Sequence, residues 1–136
     1  MLNPEATSPQ DSLWGFVLIL LGSKEIYVSA TGLKPKGLIG WIRFWVLTIP
    51  ASKNAQKAEG VLLCEFNSQN HFQHTLTVWT SKKQMLAYKS SSAHLRAMKS
   101  FSKIGSGKIY GYETVAIPSW KDALLEWEKN GREIKL

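Results

Sequence analysis

Two side chains near the middle of the chain have the chemistry of a small-molecule site. Trp79 closes the alternating stretch HTLTVW, and His94 follows in the helical stretch SSSAHLRAMKSF. An indole offers a flat apolar face, so Trp79 suits a pocket wall that stacks on a flat ligand; core packing accounts for it equally well. Imidazole titrates near neutral pH, so His94 suits proton transfer, and the plain alternative is a histidine hydrogen-bonded at a helix–sheet seam. Met98 and Phe101 share its helix face, which argues against full solvation. Arg43 sits inside the apolar run WIRFWVL. Buried alone it would be costly, so it either snorkels outward or holds a ligand carboxylate or phosphate. Trp41 belongs to the same run, which lines a lipophilic pocket, contacts a partner or simply forms core. Tyr110, on a late strand, is a further candidate for orienting a ligand.

Other groups carry less. His71 and His74 are three apart, and on a strand such residues point to opposite faces, with no Asp, Glu or Cys to complete a metal site. Cys64 lies in the apolar stretch VLLCEF and reads as inert packing. Gly105-Ser106-Gly107-Lys108 lacks the Ser or Thr and the following helix of a phosphate loop. The aromatic stretch GKIYGYETV is similar to that of RNA-recognition folds but falls on the fourth strand, where the third is required.

The elements that position these residues follow from periodicity and breakers. Glu25 to Thr31 is expected as a strand stopped by Gly32 and Pro35. GLIGWIRFWVLTI reads as a helix buried on more than one side, with Leu38, Trp41, Ile42 and Trp45 on one face and Ile39, Phe44 and Leu47 filling much of the rest; Pro50 breaks or kinks it, and a second helical segment runs up to Gly60. Val61 to Phe66 and His74 to Ser81 are strands joined by a turn over residues 67–73. In the latter His74, Leu76, Val78 and Thr80 face one way and Thr75, Thr77, Trp79 and Ser81 the other. Residues 82–104 are helical in period, with a restart capped among the serines at 90–92. Gly105 to Gly107 reads as a turn, Lys108 to Ile117 as a strand, and Ser119 to Asp122 as a capping box opening a helix that ends near Gly131.

The order βαββαβ predicts an α+β, ferredoxin-like antiparallel sheet with helices on one face. The second sheet face, apolar and bare, would then be buried by sheet-to-sheet dimerisation. Residues 1–12 read as a flexible tail and residues 13–136 as a single domain. The run Leu13 to Leu21 fits a short strand, a helix or a membrane-surface anchor. It is too short to span a bilayer, and no basic residue precedes Lys24, so a cytoplasmic chain without a leader is expected.

With 136 residues, 44% of them hydrophobic, the chain has material for one real core. Its single cysteine excludes an internal disulfide framework. The net charge of +7 is concentrated between residues 24 and 108, where 13 Lys or Arg face three acids. Such a region could attract an anionic ligand, a nucleic acid or a membrane surface; solvated helix faces are the plain reading.

The stretch HTLTVWTSKKQMLAYKSSSAHLRAM resembles the dimeric α/β-barrel superfamily of antibiotic-biosynthesis monooxygenase-like proteins, nearest the spheroidene monooxygenase-like, poorly characterised branch. The shared elements are a strand ending in Trp (Val78-Trp79), a Ser-containing turn (Ser81) and a helix with a Ser-x-x-His pattern (Ser91 to His94). The resemblance implies a homodimer joined through the sheets and a pocket between sheet and helices, with Trp79 in its wall. It leaves the cofactor as none or haem, with His94 as proton shuttle or haem ligand. In haem-degrading members a strand Asn and a helix His complete the site. The position of that His falls on Met98 here, and the strand Ile26 to Thr31 has no Asn. The expected function is thus a small monooxygenase-like protein acting on an apolar molecule, with Trp79, Trp41, Met98, Arg43 and Tyr110 around the ligand. The alternatives are a non-catalytic dimeric ligand-binding or interaction module and, less favoured, RNA binding through the basic central region.

Overall fold

The computed structural model describes residues 25–134. The expected tail and the run Leu13 to Leu21 lie outside the described residues. The elements run β1 (Ile26–Pro35), α1 (Gly37–Lys57), β2 (Val61–Gln69), β3 (Phe72–Trp79), α2 (Lys82–Lys89), α3 (Ser92–Ile104), β4 (Gly105–Thr114), α4 (Trp120–Asn130) and β5 (Arg132–Glu133). The strands form one antiparallel sheet in the order β2-β3-β1-β4-β5. This is the ferredoxin-like α+β arrangement expected from the element order, extended by α4 and the short β5.

Alternation along β1 and β3 builds two different faces. Val28 pairs with Val78 and Tyr112, and Ala30 pairs with Leu76 and Tyr110, so aliphatic and aromatic side chains gather on one face. Val28, Leu76 and Val78 are at most 1% exposed there, and burying each contributes about 1.5–3 kcal/mol. On the other face Ser29 pairs with Thr77 and Thr31 with Thr75, an array of small hydroxyl side chains. α1, α2 and α3 lie over this second face, enclosing a space described below.

The aliphatic face is not bare, which corrects the expectation. α4 lies across it, burying Ala123 and Trp127 against Ile26, Val28, Ala30, Leu76 and Val78. Ser119 caps α4 as expected, its Oγ accepting from the Asp122 N–H at 3.1 Å. The Trp127 indole settles over Gly32, where an added Cβ would stand 2.8 Å from its Cε2 and 2.9 Å from His74 Cε1. The Trp127 Nε1–H donates to the Lys108 carbonyl at 2.7 Å, and Phe72 and His74 meet the ring edge-on at 5.3 and 4.7 Å. Glycine inside β1 therefore makes room for an indole that locks α4 to three strands.

Several boundaries differ from the sequence expectation. Pro50 does not end α1, which runs on as a single helix of 21 residues. Proline removes one helical N–H, but Ala51 and Ala55 beyond it are buried, and the Tyr88 hydroxyl donates to the Ala51 carbonyl at 3.0 Å. Tertiary packing holds both halves in one helix. The hairpin between β2 and β3 is only Asn70-His71, both with positive φ (53° and 67°), so pairing extends to Gln69 and Phe72. Two left-handed residues give the turn twist that two-residue hairpins need. Gly105 to Gly107 is strand, not turn: these residues pair with Pro35, Lys34 and Leu33, so β1 also continues past Gly32. The restart at the serines is present, with Ser91 Oγ accepting from the His94 N–H at 3.4 Å.

Trp127→Ala should cost about 3–5 kcal/mol of unfolding free energy, measured by urea denaturation, because it empties the space over Gly32 and strands the Lys108 carbonyl. Gly32→Val should be similarly damaging in the wild-type background and much less so combined with Trp127→Ala.

Candidate active site

The space between the hydroxyl face of the sheet and the three helices is a cavity of about 810 Å³, within the range of small-molecule pockets. Ser29, Thr31, Thr75 and Thr77 form its floor, while Phe44, Ala51 and Ala55 of α1 and Met98 of α3 supply apolar wall. Gly40 lets α1 approach the end of α3 closely: an added Cβ would stand 2.6 Å from the Ile104 carbonyl oxygen. The Lys36 N–H donates to that same carbonyl at 2.7 Å.

His94 lines the cavity. Its backbone is fixed by the Ser91 cap and its ring meets Tyr88 edge-on at 5.2 Å and 68°. Nδ1 is buried without a hydrogen-bond partner. Burial pushes the imidazole pKa below its ordinary value; the Lys89 carbonyl pulls it back up, and the Lys89 charge pushes it down. The ring is therefore neutral at pH 7, in the state that accepts a proton.

Tyr88 of α2 is a further residue of the site, absent from the sequence candidates. It also lines the cavity, and it stacks on Trp79 at 5.2 Å and 25°. Burial raises its phenol to about 12, so it stays protonated and donates to Ala51. Trp79 is wholly buried beneath it, its Nε1 without a partner. Trp79 thus supports Tyr88, which in turn abuts His94. The one signal in sequence was the spacing of Tyr88 and His94 across the serine break, readable only once the break is known to redirect the chain. Cys64 also lines the cavity, and burial with the nearby Glu65 carboxylate pushes its thiol pKa up. It is a protonated wall group, not a nucleophile.

The structure brings His94 and Met98 together at the cavity and sets Trp79 one side chain behind it. It does not bring the other three candidates there. Arg43 and Trp41 lie on the outer side of α1, Trp41 48% exposed. Tyr110 is on the opposite sheet face, stacked on Tyr112 at 5.4 Å beneath the α4 layer. His74 is also on that face and His71 is in the hairpin turn, so the two do not converge. Among the described residues no three His, Cys, Asp or Glu come together.

Haem would ask for one imidazole nitrogen and for cations near its two carboxylates. Of the residues that line the cavity, His94 offers the imidazole, and Lys89 and Arg132 offer the cations. When bound, haem would supply iron redox chemistry with oxygen.

His74, buried, and His94, half-buried, also set a pH dependence. Burial lowers the pKa of His74, opposed in part by the Thr31 carbonyl, as it lowers that of His94. A group that binds its proton less readily folded than unfolded favours the folded state above its unfolded pKa. That stability is lost as pH falls below the ordinary value of 6.5. The urea midpoint should therefore drop between about pH 7.5 and pH 5.5, and the double variant His74→Phe/His94→Gln should flatten the drop. A pH-independent midpoint in the wild type would contradict this.

No protein-family model matches the chain, and no curated protein is similar to it. Solved structures are. A protein from Nitrosomonas europaea, named by inference an antibiotic biosynthesis monooxygenase, superposes with a TM-score of 0.57 at 12% identity, covering 66% of this chain and 88% of that one. SnoaB, a cofactor-independent oxygenase from Streptomyces nogalater, gives 0.50 at 8% identity, covering 65% and 89%. Hydroxynitrile lyase from Passiflora edulis gives 0.54 at 16% identity, covering 67% and 94%. At these identities the likeness is one of fold, and the lyase among them shows that this fold does not fix one reaction. The chain has the ferredoxin-like α+β fold found in antibiotic-biosynthesis-monooxygenase-type and SnoaB-type structures.

Proposed function

We propose that the cavity binds a flat, mainly apolar small molecule and that His94 accepts a proton from it, in a small oxygenase-type enzyme. The observation that carries this reading is a neutral, desolvated imidazole in the wall of a cavity floored by hydroxyls and walled by apolar side chains. A ligand bearing one acidic O–H or C–H would place it against a ring nitrogen of His94. The proton passes to that nitrogen and the electron pair stays on the ligand. The imidazolium so formed is favoured by the Lys89 carbonyl and disfavoured by burial and the Lys89 charge. The resulting anion is an electron-rich species of the kind that reacts with dioxygen. Support for the oxygenase class comes from the fold of SnoaB and the Nitrosomonas protein alone. The floor hydroxyls of Ser29 and Thr77 would bond polar atoms at the ligand's other end.

A second reading keeps the cavity and drops the chemistry. It is favoured by Trp79, which is sealed behind Tyr88 and serves packing. In either reading we would place a second copy against the outer side of α4, where Leu125 stays 56% exposed.

A panel of fused-ring phenols, titrated by fluorescence and absorbance, separates the readings. Saturable binding that Met98→Trp abolishes by filling the cavity is expected. So is a phenolate absorption band at pH 7 in the wild type that His94→Gln removes. With an oxidisable member of the panel, oxygen uptake should fall by about 100-fold or more in His94→Gln. Binding without ionisation or oxygen uptake would leave the binding module; no saturable binding by any member would sink both readings. A Soret shift on adding haemin, lost in His94→Ala, would instead assign the His94 ring to iron.

A further inference from the structure

The outer side of α1 is the least expected surface of the molecule. The helix buries Gly40, Phe44, Ala51 and Ala55 toward the cavity layer. On its other side Leu38, Ile42, Val46 and Ile49 recur every three or four residues and are 73%, 49%, 64% and 48% exposed. Ile39, 70% exposed, and Trp41 flank this stripe. The stripe does not stop in solvent-loving residues of mixed charge. It continues by four-residue steps as Lys53 and Lys57, with Arg43 beside it. An apolar row on a surface helix is costly in water, so a nonaqueous phase or a partner is implied.

Charge says which. α1, α2 and α3 together carry nine Lys or Arg and no Asp or Glu, and all nine are exposed. Every acidic residue among the described ones lies on a strand, in a turn or loop, or on α4. The helical layer is thus of one sign, while the rest of the described chain is mixed. A second copy docked on this layer would set cations against cations. Nucleic acid would satisfy the cations but has no use for four exposed aliphatic side chains on one stripe. A membrane carrying anionic phospholipid meets both demands: headgroups for the lysines and arginines, and the upper acyl region for Leu38, Ile42, Val46 and Ile49. No helix among the described residues is long and apolar enough to cross a membrane, so the contact is one of the surface.

We infer that the outer face of α1 is a peripheral docking surface for anionic phospholipid bilayers, with the aliphatic stripe inserted and the basic helical layer held against the headgroups. The inference is independent of the cavity's ligand.

The test is flotation of the full chain with vesicles of phosphatidylcholine, with and without about 30 mol % phosphatidylserine. The wild type should float with the anionic vesicles and not with the neutral ones. Val46→Asp and, as a milder second variant, Ile42→Ser/Val46→Ser should lower the bound fraction about tenfold. Lys53→Gln/Lys57→Gln should lower it roughly 10- to 30-fold. All three replace exposed side chains, and unchanged circular dichroism and melting temperature confirm folding. Failure of the wild type to float with anionic vesicles overturns the proposal. So does equal flotation of all variants, which would move attachment to another part of the chain such as residues 13–21. If only the lysine variant loses binding, the surface is a plain polyanion site of the kind nucleic acid uses. If gel filtration shows an oligomer that Val46→Asp splits, the stripe belongs to a second copy.

Discussion

Successive side chains of a β-strand must point to opposite faces, and in this protein that constraint falls on β1, the strand inside the sheet between β3 and β4. Its even-numbered residues Ile26, Val28 and Ala30 are core, and its odd-numbered residues Ser29 and Thr31 are cavity floor. Neither layer can be built without the other. A slip of one residue in the β1–β3 register would send the aliphatic row into the cavity and the hydroxyls under α4. The register is pinned outside the row itself, by Trp127, whose indole fits over Gly32 and against its β3 partner His74.

The candidate site inherits its geometry from this arrangement. Trp79 ends β3 on the cavity face because it is odd-numbered, and α2 begins two residues later at the Ser81 cap. Nearly two turns beyond the Ser81 cap, Tyr88 reaches back over the indole and fixes α1 through the Ala51 carbonyl. The chain then restarts at Ser91, and His94 meets the free edge of Tyr88. A single phenol thus couples a strand, three helices and the one imidazole of the cavity. Its role is positional: held protonated by burial, it sets where the His94 ring stands and keeps water from the Trp79 side.

Much of this was legible before the structure. The period-two pattern of HTLTVW assigns its faces correctly, the serines at 90–92 mark the restart, and Ser119 to Asp122 marks the start of α4. What was not legible depended on contacts distant in sequence. Helix α1 is apolar nearly all round, and its spacing picks out Leu38, Trp41, Ile42 and Trp45 as one buried face; the structure instead leaves Leu38, Trp41 and Ile42 exposed beside Arg43 and turns Phe44 and Ala51 inward. Tyr110 has the alternation of a strand, but only pairing with Ala30 shows which face it joins. Pro50 and Gly105 to Gly107 are breakers by type, and here tertiary packing and ladder pairing override them. That Trp120 and Trp127 cover the second sheet face, and so remove the simplest reason for a bare sheet-to-sheet contact, follows from Gly32, whose missing side chain has no meaning until the indole is seen above it.

The two faces of the sheet also divide the work of folding from the work of recognition. Stability is concentrated under α4, in close-packed aliphatic and aromatic side chains that tolerate little change. The cavity floor is made of Ser29, Thr31, Thr75 and Thr77, small groups whose exchange for one another alters hydrogen bonding and volume but leaves that core untouched. A lineage carrying this chain can therefore explore new ligands through single substitutions at four paired floor positions while the scaffold drifts little. On such a scaffold specificity is cheap to change and the fold is not.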